Sequence, residues 1–369
     1  MYINCILLLD FSAPIDGLTF SAIQFPFLFF TLNSSTFRRL CDRQLSFTLF
    51  LRHGLKPGRQ SPTSDLLRPT PPSSAMGSNQ AAKAQLVISS VPHLLPPHRD
   101  ALSNLLSLVH NHFAPQLQPS SALVPPEAER YQNDDGSSHG SLFINRGTAT
   151  SQVLSNSRIF LFYPFFYQID FVLSSCLSLS MPNNSSIKVT NLHGYLKATT
   201  DAPHFLFELC QMSPSQFIFF LDVSPRKDLV LNSEYLKEFY EDSGVDAWRK
   251  RFYEEVPEAT PYVSSSIYFR CVVSPTGILA EIKCDEGRAE EIVRDSVGSV
   301  AKEVMKVWIE RCASSERSVV EEEMPALRRR DGIVKRNAVE RDLGSALPHI
   351  FGPKGHMVLN LIRSAHQIS

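Results

Sequence analysis

The chain has 369 residues, 43% hydrophobic and 20% charged, with 25 phenylalanines and a formal net charge of −1. That composition suits a globular protein with one large domain or two ordinary ones. The near-neutral balance excludes the strongly basic surface of a dedicated nucleic-acid binder, so any steering of a charged partner must come from local patches. Seven cysteines (5, 41, 176, 210, 271, 284 and 312) are scattered without a C-x-x-C pair, which favours reduced thiols used as small hydrophobes. His110 and His112 in "VHNHF" lie two apart and fall on different sides of a helix, so no metal centre is expected there.

Residues 1–80 stand apart from the rest. "FPFLFF" (25–30) is too short to cross a bilayer. Residues 35–75 carry seven Lys/Arg against two acids among many Ser, Thr and Pro. That is the composition of an organelle transit peptide; the other reading is an over-extended reading frame, with translation starting at Met76. The folded domain is expected over 88–369.

The first helix is expected over 97–117, where Leu102, Leu105, Leu106 and Val109 share a face. β segments follow at 141–145, 169–180, 186–196, 204–211, 216–223, 265–273 and 277–284. "MSPS" (212–215) and "SPTG" (274–277) read as hairpin connections, the second with Pro at its second position and Gly at its fourth. Hairpins in series imply an antiparallel sheet. Further helices are expected at 232–242 behind an Asn232 cap, at 245–256, at 287–312, at about 321–342 and at 355–367. In the third of these Val293, Val297, Val300, Val304 and Trp308 align on one side. Helices before, between and after an antiparallel sheet make an α/β/α sandwich, with a central sheet flanked by helices. There is no GxGxxG, Walker loop or G-x-S-x-G, so nucleotide cofactors and hydrolase chemistry are unsupported.

One strand has a discordant letter. In "HFLFELCQ" (204–211), Phe205, Leu206, Phe207 and Leu209 suit a strand buried on both faces, and Glu208 sits among them. Alternation puts Glu208 on a face with Leu206 and Cys210. An ionised carboxylate in an apolar interior pairs, takes up a proton or faces a cavity. The residues alone leave two readings open: a structural carboxyl paired with a buried Arg such as Arg270, or a proton donor at a cavity.

Six strings carry a resemblance: "DAPHFLFEL" (201–209), "LDVSPRKDLVL" (221–231), "YLKEFYED" (235–242), "PYVSSSIYFRCVVSP" (261–275), "AKEVMKVWIERC" (301–312) and "ERDLGSALPHIFG" (340–352). In this order and spacing they resemble the red chlorophyll catabolite reductases, over roughly 88–369. The resemblance implies the α/β/α fold of the ferredoxin-dependent bilin reductases. It implies reduction of red chlorophyll catabolite, an open-chain tetrapyrrole, to a primary fluorescent catabolite during chlorophyll breakdown in senescence. Reduced ferredoxin is the implied external electron donor, with no bound flavin, nicotinamide or metal. A homodimer in the chloroplast stroma, with a mitochondrial pool and contact with the preceding ring-opening oxygenase, is implied as well.

The same resemblance assigns residues. Glu208 and Asp342, the latter in "ERDLG", become carboxyls at the substrate and catalytic proton donors; by its pattern alone Asp342 reads as a solvated acid at a helix end. Val273, at the end of "SIYFRCVV", becomes the substrate-facing side chain that selects the product epimer, with Val and Phe giving opposite hands. The chemistry agrees: a plant-type ferredoxin delivers single electrons at about −400 mV, and each electron added to a tetrapyrrole raises its basicity. A cofactor-free reductase therefore needs a dry cavity and a proton donor of raised pKa. Two basic clusters, "WRKRF" (248–252) and "RRRDGIVKR" (328–336), are candidate faces for acidic ferredoxin.

Two features depart from the family. "VLSNSRIFLFYPFFYQ" (153–168) interrupts a short strand connection and is expected to be a translated intron remnant. Cys176 stands where family chains commonly carry Trp, which leaves a void or a larger cavity. These departures keep open a second reading, a tetrapyrrole-sequestering protein of the same fold without turnover.

Overall fold

The computed structural model describes residues 96–148, 168–181 and 185–368. The N-terminal 1–80 segment and, apart from Gln168, the 153–168 segment lie outside the described residues.

An amphipathic helix, α1 (Pro96–Phe113), opens the described chain and buries Leu102, Leu105, Leu106 and Val109. Eight strands then form one sheet: β1 (Arg130–Gln132), β2 (His139–Arg146), β3 (Ile169–Ser180), β4 (Ser186–Leu196), β5 (His204–Ser213), β6 (Gln216–Ser224), β7 (Ala259–Pro261) and β8 (Ile278–Lys283). Their order is β1-β2-β3-β4-β5-β6-β8-β7, and every neighbouring pair is antiparallel. Long central strands rich in Phe, Leu, Ile and Val are buried on both sides, as helices covering both faces demand.

The alternation of side chains divides the interior in two. Val172, Cys176, Leu192, Phe205, Phe207, Leu209, Phe219 and Leu221 pack on one face. They lie under α1, α2 (Ser233–Leu236), α3 (Val245–Glu255), α5 (Glu286–Glu291) and α6 (Gly298–Trp308). Trp308 is the wedge of this half: its ring would stand 2.7 Å from a Cβ at position 194, so only Gly194 fits there. Its Nε1 donates to the Pro203 carbonyl at 3.0 Å. Phe171, Leu173, Val189, Leu206, Cys210, Ile218 and Phe220 pack on the other face. They lie under α4 (Ile267–Val272), α7 (Met324–Asp342) and α8 (Ala346–His366). The α/β/α sandwich expected from the sequence is the architecture found. In α8 the chain breaks at Gly352, with φ 56° and ψ −131°, and Pro353 starts the second limb.

The 265–273 segment differs from its expectation. It forms helix α4, not a strand, with Ser266 Oγ accepting from Phe269 N at 3.2 Å. The alternating letters of "SIYFRCVV" imitate a strand, but its buried residues are Phe269 and Val272, three apart, while Ile267 is 69% exposed. The Ser-Ser-Ser run supplies a helix cap, and the place beside β6 is taken by β8. "SPTG" does turn, Gly277 N donating to Ser274 O at 3.1 Å, but it joins a helix to a strand. Asn232 occupies the cap position of α2 without a side-chain cap bond; its amide donates to the Asp228 carbonyl instead, at 2.8 Å.

Candidate active site

Glu208 lies mid-strand in β5 and is fully buried. Its β4 partner is Asn191 and its β6 partner is Phe220, while Asn191 pairs in turn with Ser175 of β3. These four side chains make one row across the α7/α8 face. Asn191 Oδ1 accepts from Ser175 N at 3.1 Å and from Ser175 Oγ at 3.2 Å. That fixes the amide's orientation one strand away from the carboxyl. Leu206 and Cys210 flank Glu208 along its own strand on this face, as alternation requires. Arg270, the suggested structural partner, is exposed on α4.

Next to this row lies a buried charged hub that ties α7 to the sheet. Arg226 Nη2 donates to Asp331 Oδ2 at 2.5 Å and its Nε to Oδ1 at 3.3 Å. Its Nη1 reaches the carbonyls of Lys197, Thr200 and Ala202. His204 Nδ1 accepts from Leu196 N at 3.1 Å, so its hydrogen sits on Nε2, 3.6 Å from Asp331 Oδ1. Burial alone would raise the Asp331 pKa, but His204 and Arg226 hold the carboxyl well below its usual range. Burial takes His204 down to about 3, so the ring is neutral. Lys335 Nζ sits 3.5 Å from Asp170 Oδ2 and 4.9 Å from the centre of the Tyr195 ring. The Tyr195 phenol is pushed up chiefly by burial, with the neighbouring Asp331 charge adding to it.

A cleft of about 940 Å³ opens between the 225–232 segment, α4 and α7, within the usual volume range of ligand cavities. Val273, Val272, Tyr268, Arg226, Leu327 and Arg330 contribute to its wall. Val273 follows the last residue of α4 in extended conformation. A third buried carboxyl anchors the next residue: Asp222 accepts from Ser274 Oγ at 2.5 Å and from Ser274 N at 3.1 Å. Burial pushes Asp222 up to about 6 despite these bonds. Glu208 does not border the cleft. A chain of contacts links them: Tyr268 and Val272 line the cleft, Phe269 packs edge-on to Phe220 at 5.2 Å, and Phe220 pairs with Glu208.

Asp342 is the last residue of α7; its side chain lies outside the described residues. The next residue, Leu343, packs with Ser175 around a small void of about 10 Å³, over the row that contains Glu208. Cys176 is buried on the opposite face, among the α1 residues, so its size does not bear on the cleft. No cluster of metal-ligating side chains occurs among the described residues. Sequence reasoning missed Asp222, Arg226, Asp331 and Lys335. Asp222 gave the same signal as Glu208, an acid inside "FIFFLDVS"; the Arg226–Asp331 pair spans 105 residues and gave none.

Comparison with known proteins adds the following. Residues 97–364 match the family described as red chlorophyll catabolite reductase (RCC reductase). The chain is 36% identical over 279 residues to the chloroplastic red chlorophyll catabolite reductase of Arabidopsis thaliana, covering 74% of this chain and 82% of the relative. It is 38% identical over 261 residues to the chloroplastic red chlorophyll catabolite reductase 1 of Oryza sativa subsp. japonica, covering 69% and 73%. Tomato phytochromobilin synthase in complex with biliverdin has a similar structure, with TM-score 0.54 and 15% identity over 74% of this chain and 85% of that one.

Proposed function

This chain belongs to the red chlorophyll catabolite reductase family, and on that premise we propose that it reduces red chlorophyll catabolite, a linear tetrapyrrole, to its fluorescent product in the chloroplast, with ferredoxin as donor. One observation carries the reading: a family match over 97–364 on a chain that holds a carboxyl, Glu208, wholly buried on the sheet face covered by α4, α7 and α8.

Reduction of one conjugated double bond takes two electrons and two protons, and forms two C–H bonds. Two reduced ferredoxins supply the electrons singly and leave oxidised. After the first electron the pigment is a far stronger base, and Glu208 donates its proton to it. The apolar neighbours Leu206, Phe220 and Cys210 favour the protonated carboxyl needed for that step. Asp342 is the second carboxyl, and Val273 shapes the cavity and so selects the face that is protonated. Contact between pigment and Glu208 requires the Phe220–Phe269 pair to part, which makes α4 the segment that adjusts on binding.

The sequestering alternative loses support, since Cys176 lies on the far face of the sheet. An anaerobic assay with reduced ferredoxin and red chlorophyll catabolite tests the proposal. A reductase yields a fluorescent product with repeated turnover; binding without product would establish sequestration.

A further inference from the structure

Of the two basic clusters, the structure assigns the docking of an acidic one-electron carrier protein to the outer side of α7, at the mouth of the cleft, and not to α3. The inference rests on the reading of this chain as a reductase supplied by such a carrier.

On α3 the cations are already neutralised. Arg249 and Lys250 both pair with Asp246, at 2.8 and 2.7 Å, and Arg251 pairs with Glu255 at 2.6 Å. The helix as a whole balances those three cations with Asp246, Glu254 and Glu255. It also lies on the wrong face: Phe252 packs on Phe219, across the sheet from Glu208.

On α7 the opposite holds. Arg328, Arg329, Arg330, Lys335, Arg336 and Arg341 stand against Asp331, Glu340 and Asp342, and Asp331 is consumed internally by Arg226. Among the described residues Arg328, Arg329, Arg330 and Arg336 form no salt bridge. Arg328, Arg329 and Arg336 are exposed; Arg329, Ile333 and Arg336 follow the i, i+4 and i+7 spacing of one helical stripe, and Arg328 stands beside it, one residue before Arg329. Ile333, 47% exposed, lies within that stripe and also lines the cleft, as does Val230, 90% exposed. An apolar centre with a rim of unpaired guanidinium groups is the composition of a transient protein interface. The acids at 321–323 precede the helix, and Glu323 is tied to Lys227 at 3.2 Å, so the carrier sits over the stretch of α7 from Arg328 to Arg336. Arg330 borders both stripe and cleft, which brings the donor to the same opening as the pigment.

Oxidised plant-type ferredoxin, titrated onto the full chain, tests this without turnover. Wild type binds at low ionic strength and loses affinity steeply as salt rises. Joint Arg328→Glu, Arg329→Glu and Arg336→Glu substitution weakens binding by about tenfold or more and flattens the salt dependence. The matched variant Arg249→Glu, Lys250→Glu and Arg251→Glu stays within about twofold. A milder pair, Arg329→Gln with Arg336→Gln, shows a loss of about threefold and covers the case in which charge reversal unfolds α7. Unchanged binding in both α7 variants, loss confined to the α3 variant, or no salt-sensitive binding by wild type overturns the assignment. Binding as expected by a wild type that makes no fluorescent product would leave the docking face standing and remove the reductase reading.

Discussion

Glu208 and Asp222 are the same kind of anomaly, an acid inside a buried strand. Asp222 is satisfied locally by Ser274 N and Oγ, so it anchors the turn that follows Val273. Val273 Cγ1 and Asp222 Oδ1 both crowd Gly277, at 2.8 and 3.1 Å from where a Cβ would sit. Two outcomes follow for stereochemistry. Val273→Phe inverts the epimer of the product, and Asp222→Ala, by freeing the turn, gives a mixture; chiral chromatography reads both. Asp222 also carries a pH signature. Its folded pKa of about 6 lies above the unfolded value, so the folded state holds a proton that the unfolded state releases. Its contribution falls as pH rises from about 4 to 6, by on the order of 3 kcal/mol. Asp222→Asn removes that slope in urea melts. Both acids were legible as charged letters in apolar strands, but nothing in the strings says that Ser274, 52 residues on, closes over Asp222.

Among the elements, α4 and α7 carry the lesson about legibility. The five longer strands were readable because period-two burial, or continuous apolar runs, extend over eight or more residues. α4 spans six residues, too few for its letters to separate a period of 2 from one of 3.6. In α7 the inward Asp331 and Lys335 look like members of a solvated charged face, since their partners lie on distant strands and loops. The Arg226–Asp331 pair fixes this helix over the sheet. Asp331→Asn leaves the Arg226 guanidinium buried without its counter-charge, and about 3–5 kcal/mol of stability is lost. A thermal melt then shows a fall of about 10 °C. The connection between β2 and β3 behaves differently. The strands pair through Arg146 and Phe171, and Gly147 N donates to Asp170 O at 2.8 Å, so the chain leaves the sheet and returns at adjacent points. Deletion of 153–167 shortens a connection between two points that already lie side by side, and closing such a connection costs little; the melting temperature stays within about 2 °C and pigment affinity is unchanged.

For the whole molecule, the near-zero net charge conceals a set of buried neutral histidines. Burial lowers His98, His204 and His366 to about 3, and takes His193 well down also. Below the ordinary histidine range the unfolded chain takes up protons that the folded chain refuses, so these groups make stability rise with pH. Asp222 opposes them by one proton between pH 4 and 6. A net difference of roughly three protons near pH 5 gives about 4 kcal/mol per pH unit. Urea midpoints therefore fall steeply as pH drops from 6.5 to 5, and a flat profile would contradict the neutral assignment. At this scale the sandwich was readable from the order of helices and hairpins, and the family from six strings. The cleft was not, because it lies between a loop, a short helix and a long one that come together only in the folded chain.

The most direct measurement is single turnover of Glu208→Gln under anaerobic conditions, with reduced ferredoxin in excess and red chlorophyll catabolite bound. Gln keeps the size of the side chain and removes its transferable proton. The account predicts pigment affinity within about threefold of wild type and a rate of fluorescent product formation lower by about 100-fold or more. A variant that turns over at the wild-type rate would contradict proton donation by Glu208.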